Sequence, residues 1–91
     1  MAISIKIASP LRKYTDGQSV VLSNEETVLD ILKDLSEQYP RFINTICNED
    51  ISIKPLVTIY HNNEDIMKNN GLKSIIKDGE HLFIIPTISG G

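Results

Sequence analysis

Between Ser23 and Pro40 the chain carries its single strong helical signal, and that signal limits what the rest can build. Val28, Ile31, Leu32, Leu35 and Tyr39 recur at helical spacing, while Asp30, Lys33, Asp34, Glu37 and Gln38 take the opposite face. Thr27 followed by Asp30 offers a cap and an acid in the first turn. Ser23 and Glu26 form a competing capping box, which leaves the start open by one turn. Pro40 ends the pattern, because the residue before a proline disfavours the helical region. A helix of about three turns with one apolar stripe must lay that stripe on something. In a chain of 91 residues, one domain's worth, the partner is a sheet.

The flanking segments supply that sheet. Ile3-Ser4-Ile5-Lys6-Ile7 alternates at period two, Ser9-Pro10 stops it, and Asp16-Gly17 marks a turn before Val20-Val21-Leu22. These segments predict a hairpin. Arg41 to Lys54 has no clean period and reads as an irregular connection with one helical turn around Phe42-Ile43. Pro55 to Tyr60 returns to strand composition, and Asn62-Asn63-Glu64-Asp65 is rich in turn formers. Ile66-Met67 reads as a short edge strand, and Gly71 to Ile76 as a 3₁₀ or helical turn. After Asp78-Gly79, His81-Leu82-Phe83-Ile84-Ile85 is apolar on both sides, as a central strand should be. The order predicts an α+β fold, one main helix across a mixed sheet of four to five strands. The first and last strands should run parallel at its centre, as in a β-grasp.

Other classes fall away on composition. A net charge of −3 and a pI near 5.2 argue against a nucleic-acid partner, which rewards clustered Lys and Arg. No apolar run approaches the ~20 residues of a membrane span, and the first residues lack the layout of a signal peptide. Cys47 is the one cysteine, as expected of a reducing cytoplasm. The two histidines, His61 and His81, sit at strand ends with no metal-ligand spacing, so no metal is expected. A Cys47–His61 nucleophile pair has no supporting motif. Gly17, Gly71 and Gly79 stand alone, each at a turn, rather than in a phosphate loop. An active site of the chain's own is not expected.

The unusual part is the end. Behind the last strand come Pro86-Thr87-Ile88-Ser89-Gly90-Gly91. Two final glycines arise by chance about half a percent of the time at ordinary glycine usage. The residues divide into a domain over 1–86 and a tail over 87–91. From Thr87 onward the tail can reach at most about 17 Å. Glycine, without a Cβ, passes through gaps that other residues cannot. Such a tail suits a partner that must reach the terminal carboxylate, and Pro86 lowers the entropy of ordering it.

These features together resemble the ThiS/MoaD sulfur carriers of the ubiquitin-like fold, most closely the CysO-type carriers of cysteine biosynthesis. The resemblance covers nearly the whole chain. It rests on Leu11-Arg12 after strand one, Tyr60-His61-Asn62-Asn63-Glu64-Asp65, Gly71-Leu72, Ile76-Lys77-Asp78-Gly79, and the ending Ile84 to Gly91. It implies that an E1-like enzyme adenylates the Gly91 carboxylate using ATP and Mg²⁺. A sulfur donor then leaves a thiocarboxylate for a downstream synthase. The chain itself would be a carrier rather than an enzyme and would hold no permanent cofactor. The resemblance assigns partner binding to Gly90, Ser89, Ile88, Pro86, Ile85 and Arg12. Molybdopterin-type carriers usually have two prolines before the tail where this chain has Pro86-Thr87, which favours the cysteine pathway, with molybdopterin second and thiamine third. A ubiquitin-like modifier joined to target lysines through Gly91 is the alternative.

Overall fold

The computed structural model describes residues 2–86. Strand β1 (Ile3–Ile7) turns back through a 3₁₀ segment, Ser9–Tyr14, into β2 (Val20–Ser23). Helix α1 (Val28–Gln38) and a shorter α2 (Pro40–Ile46) follow. The chain then forms β3 (Val57–His61), β4 (Glu64–Asp65), two 3₁₀ turns over Ile66–Lys68 and Gly71–Lys73, and β5 (His81–Pro86). The five strands order as β2-β1-β5-β3-β4. β1 and β5 are parallel, with Ile5 beside Leu82 and Ile7 beside Ile84. All other pairings are antiparallel. This is the β-grasp arrangement, with the last strand inserted between β1 and β3.

Alternation along each strand separates a packed face from an open one. Ile3, Ile5, Ile7, Val21, Ile59, Leu82 and Ile84 point inward and are buried. They meet Val28, Ile31, Leu32 and Leu35 of α1, each wholly shielded from water. At about 1.5–3 kcal/mol per fully buried aliphatic side chain, this interface is the main source of stability.

Thr27 is the cap of α1: its Oγ1 accepts the Asp30 N–H at 3.2 Å. The competing box does not form. Ser23 belongs to β2, and its hydroxyl donates instead to Asp34 Oδ2 at 2.6 Å.

Two expectations need correction. The stretch after Pro40 holds a seven-residue helix rather than one turn in an irregular connection. Pro40 ends α1 and also occupies the first turn of α2, where its missing N–H costs nothing. Phe42, Ile43 and Ile46 of that helix are buried in the core, with Cys47 behind them. The edge strand is Glu64–Asp65, not Ile66-Met67. Asn62 and Asn63 both adopt positive φ, 52° and 69°, which makes a two-residue hairpin loop and pairs His61 with Glu64. Ile66 therefore comes after the strand, in a 3₁₀ turn that buries it. Gly79, at φ 84°, makes the turn into β5 where a side chain would be strained.

Candidate functional site

The last strand brings its two faces to different ends. Leu82 and Ile84 are sunk in the core, whereas Phe83 is 38% exposed and Ile85 half-buried on the outer face. Register then sets the neighbours of this outward pair. Phe83 lies between Lys6 of β1 and Tyr60 of β3, and Ile85 lies beside Thr58. Lys6, Tyr60, Asn62, Asn63, His81, Phe83 and Ile85 line an open groove of about 590 Å³. Its floor is aromatic and aliphatic, its rim carries an ammonium, an imidazole and two amides, and no carboxylate lines it. Such a surface suits protein contact: an apolar centre to desolvate and polar groups around it.

One wall is locked from below. Glu80 Oε1 lies 3.0 Å from His61 Nε2 and accepts the Lys77 N–H at 2.7 Å, while Oε2 accepts from Asn62 Nδ2 at 2.8 Å. One carboxylate thus joins the β3–β4 loop to the turn before β5. Bonds from Asn62, from the Lys77 backbone and from His61 hold the Glu80 carboxyl down to about 2.

Of the residues expected to meet a partner, the structure brings three to one end of the sheet. Pro86 is the final residue of β5, half-buried opposite Val57. Ile85 lines the groove. Arg12 lies in the 3₁₀ segment, where its Nε donates to the Ile7 carbonyl at 3.0 Å. Ile7 is the neighbour of Ile84, so the guanidinium is tethered at the edge where β5 finishes. Gly91, Gly90, Ser89 and Ile88 lie outside the described residues, as does the 87–91 tail.

The sequence reading missed Lys6, Tyr60, His81 and Phe83 as groove residues. The signal was present in the alternation of β1 and β5, which puts Lys6 and Phe83 on the face opposite the core. Cys47 is buried, and burial pushes its thiol up to about 11; His61 is engaged with Glu80. Among the described residues no group of His, Cys, Asp and Glu could hold a metal, and no helix is long and apolar enough to cross a membrane.

The ThiS family model matches residues 5–91. The chain belongs to the ThiS family. It is 29% identical to the sulfur carrier protein CysO of Mycobacterium tuberculosis (strain ATCC 25618 / H37Rv), with all of both chains covered. It is 30% identical, at a TM-score of 0.89, to a chain in the crystal structure of the Amycolatopsis orientalis BexX/CysO complex, covering 99% of this chain and 100% of that one. Small archaeal modifier protein 3 of Haloferax volcanii is 23% identical, again over both full chains. This member of the ThiS family is thus similar to proteins named as carriers and modifiers rather than as catalysts. The groove over Phe83 and the end of β5 lie on one continuous side of its sheet.

Proposed function

We propose that this protein is a sulfur carrier whose reactive group is the Gly91 carboxylate. The observation that carries the reading is the ThiS family match, which runs through residue 91 on a sheet whose last strand leads into the tail. The carboxylate attacks the α-phosphorus of ATP in a partner's Mg²⁺ site, pyrophosphate leaves, and an acyl adenylate remains. Hydrosulfide then adds to the acyl carbon, AMP departs, and the product is a thiocarboxylate. Adenylation makes a poor acyl electrophile reactive, and the charge that develops on phosphate oxygens is neutralised by the partner's metal. The thiocarboxylate sulfur is the nucleophile for a downstream synthase, with cysteine formation favoured over molybdopterin by the similarity to CysO.

The groove over Tyr60, Phe83 and Ile85 seats the activating E1-like enzyme, while Arg12 and Pro86 stand where the tail departs. Ile88, Ser89 and Gly90 thread the enzyme's channel. The companion protein in the Amycolatopsis complex supports a partnered mode of action. Incubation with an E1-like enzyme, ATP, Mg²⁺ and sulfide should raise the intact mass by one oxygen-to-sulfur exchange located at Gly91. An active partner that never produces this exchange sinks the reading.

Similarity to the Haloferax modifier favours a second outcome for the same acyl carbon. A lysine ε-amine in place of sulfide would displace AMP and leave an isopeptide bond. Lysine adducts in a cell extract that vanish when Gly90 and Gly91 are deleted would mark this use.

A further inference from the structure

Strand β2 has a free edge. It lies at the end of the sheet, with β1 as its one strand neighbour among the described residues. Hydrogen-bond parity shows which residues face that edge. Ile7 N–H donates to Ser19 O at 2.8 Å, so the pairs Ile5–Val21 and Ile3–Ser23 bond across the hairpin. The intervening pairs, Lys6–Val20 and Ser4–Leu22, turn their backbone groups away from each other. Ser4 N–H accordingly donates across the other side of β1, to Glu80 O at 3.4 Å. Val20 and Leu22 therefore direct both N–H and C=O outward, a template for another strand.

Natural edges are usually blunted by a charge, a proline or a bulge. Val20-Val21-Leu22-Ser23 has no charged residue and no proline, and Val20 and Leu22 are 42% and 55% exposed on the outer face. The helix side of the same edge is different in character. Ser23 ties Asp34 to β2, Glu25 N–H bonds back to Ser23 Oγ at 3.3 Å, and Glu25, Asp30, Lys33, Asp34 and Glu37 line one shallow depression. Four carboxylates thus meet one ammonium.

From this geometry we infer that β2 adds an extended segment of a partner protein in which apolar residues alternate with lysine or arginine. Alternation follows from the pleat. Side chains of an added strand go by turns to the outer face, beside Val20 and Leu22, and to the helix side, beside the carboxylates. Main-chain bonds to Val20 and Leu22 supply affinity, and the acidic flank selects the partner. A second copy of this chain is the wrong occupant, because pairing β2 with β2 about a two-fold axis would bring two acidic flanks together.

The test uses the full chain with no activating enzyme present, so its result is separate from the fate of Gly91. A capped synthetic peptide of alternating lysine and valine, about eight residues long, is titrated while amide exchange is followed by NMR. Val20 and Leu22 amides should exchange at least about tenfold more slowly with peptide bound. A glutamate–valine peptide should give no protection. Leu22→Pro removes an outward N–H, which an edge tolerates, and should abolish the protection read at the Val20 amide with the melting temperature nearly unchanged. Asp30→Lys with Glu37→Lys, both on the exposed helix face, should weaken binding several-fold. The inference is overturned by absent protection, by equal protection from the glutamate–valine peptide, or by shifts centred on Tyr60 and Phe83. Concentration-dependent dimerisation through β2 without peptide would overturn it as well.

Discussion

Glu80 and His61 are nineteen residues apart in sequence and meet at 3.0 Å, so that one carboxylate fastens the β3–β4 loop to the turn feeding β5. Hydrogen bonds that favour its ionised form make it responsive to low pH rather than to physiological pH. A carboxyl lowered from 4.5 to about 2 adds stability that is fully present above pH ~4.5 and is lost as pH falls toward ~2. The thermal midpoint of the native chain should therefore fall faster than that of Glu80→Gln across this window. Parallel curves for the two proteins, measured by circular dichroism, would rule out the linkage.

The helix cap gives a second expectation. Thr27→Ala removes the acceptor for the Asp30 N–H and should cost about 1 kcal/mol in urea unfolding, with Thr27→Ser restoring most of it.

Phe42 is wholly buried in the short α2. Phe42→Ala should destabilise the domain by about 3–5 kcal/mol in the same measurement, since Phe42 belongs to the buried core cluster and its helix packs on α1 and the Ser9–Tyr14 segment. A loss well under 1 kcal/mol would mean that α2 is not part of the core.

Cys47 offers a test of where sulfur resides. With its thiol pushed up to about 11 and shielded from water, iodoacetamide at pH 8 should label it only as fast as the chain unfolds. Cys47→Ala should leave sulfur transfer to Gly91 unchanged. A loss of transfer in a folded variant would move the sulfur-handling group inside the domain.

At the groove, Phe83→Asp places a charge where an apolar contact is proposed. Phe83 is partly exposed, so the fold should tolerate the change. With the activating enzyme, kcat/KM should fall by about tenfold or more, mostly through KM.

The helix α1, the first hairpin and the central placement of β5 were legible in the sequence because each rests on a local signal: the Thr27 cap, the alternation of Ile3 to Ile7, and the unbroken apolar run from Leu82. Helix α2 was not legible. Pro40 is both a stop and a start, and a proline is ordinarily weighed only as the first. Seven residues also give too few turns for Phe42, Ile43 and Ile46 to declare a period. The Glu64–Asp65 strand is two residues long and is made by the turn ahead of it, not by its own composition. The lock between His61, Asn62 and Glu80 depends on long-range closure that no spacing encodes. Of the site, the end of β5 could be read directly, whereas the groove required the register between β1, β3 and β5.

The strand made last is the one that β1 and β3 both need. Until His81 to Pro86 has left the ribosome, the two halves of the sheet have no common neighbour, and the core cannot close. Without β5 the chain would hold two separate hairpins, β1–β2 and β3–β4, with no strand to join them. Closure of the domain is thus a late event, set by contacts between residues far apart in the chain.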